Sequence, residues 1–202
     1  AIKTTEKKDE QALAGFQNEI SALIAMVGIK GVVRIYDYSL EPQKYIMMEL
    51  HEWTELTQLV GKLTEKNALD ITRKILVTLT EVHARGYAHL DLKMENILCD
   101  WKDRENPEIK IIDFGLSLKC PDEECLLTQK EGTAIYVAPE IILWGPKKPY
   151  DGKKADIYAV GIILYVMLFE NYPDEEGRGT GGVCGVRGLS TDYDRGGARY
   201  AA

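Results

Sequence analysis

The sequence is poor in the residues that most metal and disulfide sites require. Its 202 residues hold three histidines without metal-ligand spacing and four cysteines without a C-x-x-C pair. These numbers argue against a histidine-based metal site and a zinc site. We interpret Cys99, Cys120, Cys125 and Cys184 as reduced thiols, which predicts a cytoplasmic or nuclear protein, with a disulfide or a zinc site as the less favoured alternative.

The sequence also lacks a hydrophobic run long enough to span a bilayer. Its longest apolar stretch, IYAVGIILYVMLF at 157–169, is shorter than the ~20 residues that a membrane helix needs. We interpret it as a buried helix. The chain begins on Ala1 instead of Met, so we expect a fragment whose upstream targeting signals are not visible.

Positive charge is scarcer than negative charge. Lys and Arg number 25 against 32 for Asp and Glu, which gives a formal net charge of −7. This balance disfavours binding to nucleic acid or an anionic membrane and mildly favours basic partners. A hydrophobic fraction of 45% is typical of a globular protein.

Large aliphatic residues become rare near the C-terminus. Residues 177–202 hold eight of the 18 glycines. We therefore predict a disordered Gly/Arg-rich tail at 173–202, because such a segment cannot bury enough surface to order itself. Its Arg-Gly pieces leave RNA contact open as an alternative, and out-of-frame sequence would give the same composition.

Periodicity predicts a mixture of helices and strands over the rest of the chain. Helical spacing covers 9–27, 54–63, 65–86 and about 152–170. Strands are predicted at 1–3, 31–39, 43–50, 97–100 and 109–113, with a hairpin joining the second and third of these.

Four short motifs follow one another along the chain. They are AIK at 1–3, HLDLKMEN at 89–96, DFG at 113–115 and APE at 138–140. Each alone is weak, but their order, with Glu19 on the first predicted helix, is specific. From residue 1 to about 172 the sequence resembles a eukaryotic protein kinase of the Ser/Thr type.

The resemblance implies an α+β, bilobal protein-kinase-like fold. It divides a partial kinase domain at 1–172 into an incomplete β-rich small lobe at 1–50, a hinge at 49–55 and a partial helical large lobe at 56–172. ATP and Mg²⁺ are the implied cofactors, and proteins are the implied substrates. The HLDLK loop resembles calcium/calmodulin-type kinases, while the YDYS strand and hinge spacing resemble spindle-checkpoint kinases.

The same resemblance implies roles for individual residues, since phosphoryl transfer depends on positioning and charge neutralisation. Asp91 would be the catalytic base and Lys93 a γ-phosphate contact. Lys3 would reach the α- and β-phosphates, oriented by Glu19. The magnesium ligands would be Asn96 and Asp113, whose oxygens are hard ligands.

Further positions are implied for adenine, ribose and substrate. The adenine pocket would be formed by Ala1, Met48, Glu49, His51 and Leu98, with Met48 as gatekeeper and the backbone of Glu49 and His51 facing the base. Glu55 would contact the ribose. On the substrate side, Thr133 would shape the acceptor pocket, and Glu95 with Glu55 would favour basic residues near the Ser or Thr. Asp156 would brace the catalytic loop.

The sequence departs from the family pattern at two places. Leu90 replaces the Arg that commonly binds a phosphorylated loop, so we expect activity to depend little on phosphorylation of Thr128. The Gly-rich loop that would cover the phosphates does not precede Lys3. We therefore expect weak ATP binding by this polypeptide, and a catalytically inactive binding or scaffold module remains the alternative function.

Overall fold

The computed structural model describes residues 1–5, 10–143 and 148–173. The predicted tail lies outside these residues except for Pro173. The helices are α1 (Glu10–Ala25), α2 (Glu65–Ala84), α3 (Pro139–Leu143) and α4 (Gly152–Phe169). The strands are β1 (Ile2–Thr4), β2 (Ile35–Ser39), β3 (Tyr45–Met48), β4 (Thr54–Glu55), β5 (Tyr87–Ala88), β6 (Ile97–Asp100), β7 (Glu108–Ile111), β8 (Leu118–Lys119), β9 (Leu126–Leu127) and β10 (Tyr150–Asp151).

The first part of the chain forms a three-stranded antiparallel sheet in the order β1-β3-β2. The predicted hairpin of β2 and β3 is confirmed, but β2 begins at Ile35 and not at 31. The preceding residues bond elsewhere: the Val33 N–H donates to the Ile111 carbonyl over 3.1 Å, and the Ile111 N–H to Gly31 over 2.7 Å. This loop therefore fastens the first sheet to β7.

Helix α1 shows the apolar face that its spacing predicts. Phe16, Ile20 and Leu23 are buried in the main core, about one helical turn apart. That core continues into the helical part of the chain through Ile71 and Ile75 of α2. The main apolar core therefore extends from α1 to α2.

Helix α2 begins and ends where the sequence predicts. The Thr64 hydroxyl accepts from the Asn67 N–H, and the Asn67 side chain accepts from the Thr64 N–H, which forms a capping box. Gly86 follows the helix with φ +74°, a conformation that glycine adopts without strain. Helix α4 begins after Asp151, whose carboxylate caps the Lys153 and Lys154 N–H groups.

The predicted helix at 54–63 is wrong. Thr54 and Glu55 form β4, which pairs with Cys99 and Leu98 of β6, and only Leu56–Leu59 form a short 3-10 turn. The apolar residues Leu56 and Leu59 are buried, so their spacing reflects this turn. The predicted strands β6 and β7 are confirmed as an antiparallel pair beside β4.

Two further sheets were not predicted, because each of their strands has only two residues. Strand β5 pairs with β8, and β9 pairs with β10. These pairs fix the segment between the DFG and APE motifs to the helical part. Among the described residues, no helix is both long and apolar enough to cross a membrane.

The interpretation of all four cysteines as reduced thiols is wrong for one pair. Cys120 and Cys125 form a disulfide, with their Cα atoms 4.4 Å apart. A turn brings them together, since the Cys125 N–H donates to Asp122 Oδ1 over 2.9 Å and Cys125 has φ +53°. Cys99 is free and buried, and Cys184 lies outside the described residues.

Candidate active site

Strand β1, helix α1 and the DFG motif bring three charged side chains together. Lys3 Nζ lies 2.8 Å from both Glu19 carboxylate oxygens and 3.2 Å from Asp113 Oδ1. Glu19 is buried on the same helix face as Leu23. The structure therefore places the Lys3 ammonium between two carboxylates that come from positions far apart in the sequence.

The charge of each group depends on its neighbours. Burial opposes the Lys3 ammonium, but the charges of Glu19 and Asp113 outweigh burial and raise the pKa of Lys3. Burial raises the pKa of Glu19, which Lys3 offsets only in part. Burial would also raise the pKa of Asp113, but Lys3 and the Gly115 N–H hold it below the usual value.

Asn18 connects α1 to the segment that carries Asp113. Its side-chain amide donates to the Ser117 carbonyl and, over 3.4 Å, to the Gly115 carbonyl. The Gly115 N–H in turn donates to Asp113 Oδ1 over 3.3 Å. The position of α1 is thereby coupled to the orientation of the Asp113 carboxylate. No motif in the sequence singled out Asn18.

A second cluster is centred on the buried Asp91. Lys93 Nζ lies 2.9 Å from Asp91 Oδ2, and the Thr133 hydroxyl donates to Asp91 Oδ1 over 2.7 Å. Lys93 also donates to the Thr133 hydroxyl oxygen over 3.0 Å. Two polar side chains from two distant segments thus converge on the Asp91 carboxylate.

Asp156 supports the loop that carries Asp91. Its two oxygens accept the His89 and Leu90 N–H groups, each over 2.8 Å, and its Oδ2 also lies 2.8 Å from His83 Nε2. Asp156 is 1% exposed, so these bonds are shielded from water. The predicted bracing contact is present, whereas the participation of His83 was not foreseen.

The His89 ring contacts the main apolar core. The His89 and Phe114 rings meet edge to face with centroids 4.6 Å apart. Phe114 and Leu23 belong to the main core, and Ile35 packs against that core. The His89 ring is thus joined to the main core through Phe114.

Asn96 and Asp113 offer oxygens that fit a magnesium ion. The Asn96 side-chain NH₂ donates to the Asp91 carbonyl over 2.9 Å, which leaves its amide oxygen as the atom that can bind a cation. Asp113 binds Lys3 and Gly115 through Oδ1. A carboxylate oxygen and an amide oxygen are hard ligands of the kind that Mg²⁺ prefers.

The predicted hinge follows β3 directly. The half-buried Met48 donates its N–H to the Ala1 carbonyl over 2.8 Å, so these two predicted pocket residues are neighbours. Glu49 is held by Lys110, whose Nζ lies 3.0 Å from Glu49 Oε2, and His51 Nε2 lies 3.1 Å from the same oxygen. Sequence reasoning missed Lys110, which lies in no motif.

The remaining predicted site residues lie around this hinge and the Asp91 loop. Glu55 is exposed on β4 and pairs across the sheet with the half-buried Leu98 of β6. Glu95 is exposed in the 3-10 turn Met94–Asn96. The pKa of Tyr136 is raised mainly by burial, then by its hydrogen bond with Tyr172, and the negative charge of Glu95 raises it further. Glu95 and Tyr136 are therefore close enough to interact electrostatically.

Leu90 occupies a buried apolar environment. It belongs to a second core cluster with Cys120, Cys125, Leu127 and Val137. Thr128, by contrast, is exposed. The contact between the Asp91 loop and the following segment is thus apolar at the position where an Arg would have been expected.

Comparison with known proteins identifies one family. The family model described as "Protein kinase domain" matches residues 1–183. The chain is 38% identical over 168 residues to calcium/calmodulin-dependent serine/threonine-protein kinase 1 of Oryza sativa subsp. japonica, covering 80% of this chain and 27% of that protein. It is 39% identical over 184 residues to CBL-interacting protein kinase 10 of the same organism, covering 87% of this chain and 39% of that protein.

A relative from another plant gives a similar match. CDPK-related kinase 7 of Arabidopsis thaliana is 36% identical over 168 residues, which cover 80% of this chain and 28% of that protein. The chain therefore spans between 27% and 39% of the length of these relatives.

Proposed function

The chain belongs to the protein kinase domain family, and on that premise we propose that it transfers the γ-phosphate of ATP to Ser or Thr hydroxyl groups of protein substrates. One observation carries the proposal. Asp91, Lys93 and Thr133 converge within 3.0 Å of one another at a single buried carboxylate. This arrangement can accept a proton from a hydroxyl and place a cation beside the transferred group.

In this proposal Asp91 is the base that receives the proton of the substrate hydroxyl. The Thr133 hydroxyl and Lys93 each bind one oxygen of the carboxylate, so its orientation is set before substrate arrives. Lys93 supplies positive charge next to that oxygen. Asp156 holds the loop backbone and acts as a positioning residue.

Lys3 is proposed to bind the α- and β-phosphates, with Glu19 keeping its ammonium in place. Asn96 and Asp113 would hold Mg²⁺, which neutralises phosphate charge when it is bound with ATP. Because Lys3 already contacts Asp113, the groups proposed for phosphate and metal are adjacent in this structure. Asn18 would keep the Asp113 segment against α1.

Adenine is proposed to bind beside Met48 and the backbone of Glu49 and His51, between Ala1 and Leu98. Lys110 supports this segment by binding Glu49. The exposed Glu55 lies next to Leu98, which suits a contact to ribose hydroxyls.

The exposed carboxylates of Glu95 and Glu55 favour substrates with basic residues near the Ser or Thr.

The name of the first relative reported above refers to calcium and calmodulin, and we propose the same branch for this chain. We also propose a cytoplasmic or nuclear location, because the reaction consumes ATP. The proposed division of residues 1–172 is the small lobe at 1–50, the hinge at 49–55 and the large lobe at 56–172.

The first test is magnesium-dependent ATP binding by the chain, measured by calorimetry. The matched control is Asp113→Asn, since Asn keeps the shape and tolerates the φ of +59° at this position. We expect ATP to bind the original chain in the presence of Mg²⁺ and to bind the variant at least about tenfold more weakly. Equal binding by both would contradict the proposed metal site.

The second test measures phosphate transfer to basic Ser and Thr peptides, beside the same peptides with Tyr. We expect transfer to Ser or Thr, and a loss of about 100-fold or more in Asp91→Asn, where the base is removed. ATP binding without transfer by a folded chain would instead support the binding or scaffold function.

A further inference from the structure

The segment between the DFG and APE motifs is held to the rest of the protein at two anchors. The first is near β5, where the Cys120 N–H donates to the Gly86 carbonyl over 2.8 Å. The second is at the start of α4, where the Gly152 N–H donates to the Cys125 carbonyl over 3.0 Å. The disulfide between Cys120 and Cys125 therefore joins the two anchors covalently.

This disulfide belongs to the same apolar cluster as Leu90 of the proposed catalytic loop. Cys120 and Cys125 are 8% and 0% exposed and share their apolar cluster with Leu90, which directly precedes Asp91. Leu127 and Tyr150 belong to the same cluster. The bond thus lies in the packing between the segment and the loop that carries the proposed base, although it is not part of the proposed catalytic machinery.

A short path leads from the disulfide to Thr133. Leu126 and Leu127 follow Cys125 and pair with β10. Tyr150 of β10 donates its hydroxyl to the Gln129 carbonyl over 2.6 Å. Four residues later the Thr133 hydroxyl binds Asp91. Greater mobility at Cys125 would consequently extend along the segment to Thr133, which orients the Asp91 carboxylate.

We propose that Cys120 and Cys125 are a reversible thiol–disulfide site that controls phosphate transfer, with the disulfide form more active than the dithiol form. This inference rests on the proposed kinase function. In an intracellular protein, a disulfide is usually transient and redox-sensing instead of structural. The four residues 121–124 that the bond encloses are all exposed, so burial does little to hold the loop when the bond is broken. The hydrogen bonds from Lys153 to the Glu123 carbonyl and from the Cys125 N–H to Asp122 would remain.

The reaction is a thiol–disulfide exchange with a small dithiol or a dithiol protein as reductant. A thiolate of the reductant attacks Cys120 Sγ, the more exposed partner, and Cys125 leaves as a thiolate and takes up a proton. The second thiol of the reductant then displaces Cys120, which also takes up a proton. The reductant becomes a disulfide, two electrons reach the protein, and glutathione disulfide reverses the change.

The contacts seen with the disulfide formed indicate why this form should be the more active one. With the disulfide formed, Thr133, Lys93 and Asp91 are in contact, and Lys3 is paired with Glu19. Reduction removes the covalent link between the two anchors and lets the intervening loop sample more conformations. The fraction of molecules with Thr133 on Asp91 should fall, and kcat should fall more than the affinity for ATP, which binds elsewhere.

The test uses the full chain carrying Cys99→Ala and Cys184→Ala, so that only this pair can react. The chain is equilibrated with dithiothreitol or with glutathione disulfide, and thiols are counted after denaturation. Transfer to a basic Ser/Thr peptide and ATP binding are measured in both states. We expect kcat/KM to be about tenfold lower in the dithiol form, with ATP affinity changed by less than about twofold.

A variant separates the disulfide from general effects of the reagents. Cys120→Ala/Cys125→Ala is expected to show the low activity in both reagents, while the parent chain responds reversibly. Hydrogen exchange of 126–133 provides a readout that does not depend on activity, and it should be faster in the dithiol form. If the variant fails to fold, the reversible response and the exchange of the parent chain decide the question.

The possible failures are distinguishable. Equal kcat/KM in both states, higher activity of the dithiol form, or failure of the folded chain to form the disulfide would each overturn the redox inference while leaving the kinase proposal intact. Absence of transfer in both states would overturn the proposed kinase function and with it this inference.

Discussion

The Thr133 hydroxyl donates to Asp91 Oδ1 over 2.7 Å, while Lys93 Nζ contacts both the other carboxylate oxygen and the Thr133 hydroxyl oxygen. A carboxylate held at both oxygens has one orientation, although Asp91 and Thr133 are 42 residues apart. The segment after DFG must therefore be folded back onto the catalytic loop before the proposed base is correctly placed.

Replacing Thr133 with Val should lower kcat by about tenfold, the scale expected for loss of one hydrogen bond to a charged group. Val keeps the branched shape but cannot donate to Asp91. Thr133→Ser is the matched control and should keep most of the activity. Steady-state kinetics with a basic peptide would measure this, and equal loss in both variants would show that the hydroxyl is not responsible.

Glu19→Gln should separate stability from activity. Lys3 loses the carboxylate that holds its ammonium, so we expect kcat/KM to fall by about tenfold or more. Stability should respond to pH in a defined way. Burial raises the pKa of Glu19 above its ordinary value of 4.5. Its contribution to the free energy of unfolding is therefore fully present at pH values below 4.5 and is lost as the pH rises through the pKa of the folded state.

As the pH rises from below 4.5 to neutrality, the Glu19→Gln variant should therefore gain stability relative to the original chain, measured as its free energy of unfolding. Urea denaturation at several pH values measures the difference. Glu65→Gln, at an exposed helix start, is the control and should show no comparable trend. A difference that is independent of pH would contradict the assigned pKa direction.

Sequence reasoning could anticipate several side-chain contacts because most of the charged residues involved lie in short motifs with fixed spacing. The expected pairing of Lys3 with Glu19 is present, and Asp113 of the DFG motif lies 3.2 Å from the same ammonium. The same reasoning failed at β4, where two strand residues precede a tight turn of Leu56 and Leu59 that imitates helical spacing.

Contacts between residues outside the recognised motifs could not be foreseen. The spacing of Cys120 and Cys125 fits a short bridged loop, but only the turn at Asp122 shows that their Cα atoms approach. Lys110 shows the same limit. It lies on a strand of alternating burial, and nothing in the sequence indicates that it reaches Glu49, which is 61 residues away.

Lys110→Met should loosen the proposed hinge. Burial works against the Glu49 carboxylate, but Lys110 and His51 hold its pKa below the usual 4.5. A depressed pKa contributes stability above the unfolded value, and this contribution is lost as pH falls through the folded pKa. The variant should be less stable by about 1 kcal/mol at pH 7, and the difference should shrink below pH 4.5.

Urea denaturation against pH measures the effect, with the exposed Lys62→Met as a control. ATP affinity should also fall in Lys110→Met, because Glu49 adjoins the proposed adenine site. A stability difference that persists unchanged at pH 3 would show that packing, and not the ion pair, is responsible.

Thr128→Ala should leave activity within about twofold of the original, because Leu90 offers no cation to a phosphate on this exposed side chain. The measurement is phosphorylation of a basic Ser/Thr peptide, before and after phosphatase treatment. Loss of most activity in Thr128→Ala or after phosphatase would show that another cationic group replaces the missing Arg.

Leu90→Arg restores the commoner residue but should destabilise the fold. Leu90 is 8% exposed, has φ +65° and contacts the apolar cluster of Cys125, Leu127 and Val137. A guanidinium placed in this apolar cluster would lose much of its hydration, so we expect a loss of about 3 kcal/mol in the free energy of unfolding. Leu90→Met is the matched control and should cost less than about 1.5 kcal/mol. Urea denaturation compares the two variants. Equal stability of both would contradict this expectation, because it would mean that the Arg side chain reaches solvent past the disulfide. In that case the packing of Leu90 does not fix the segment.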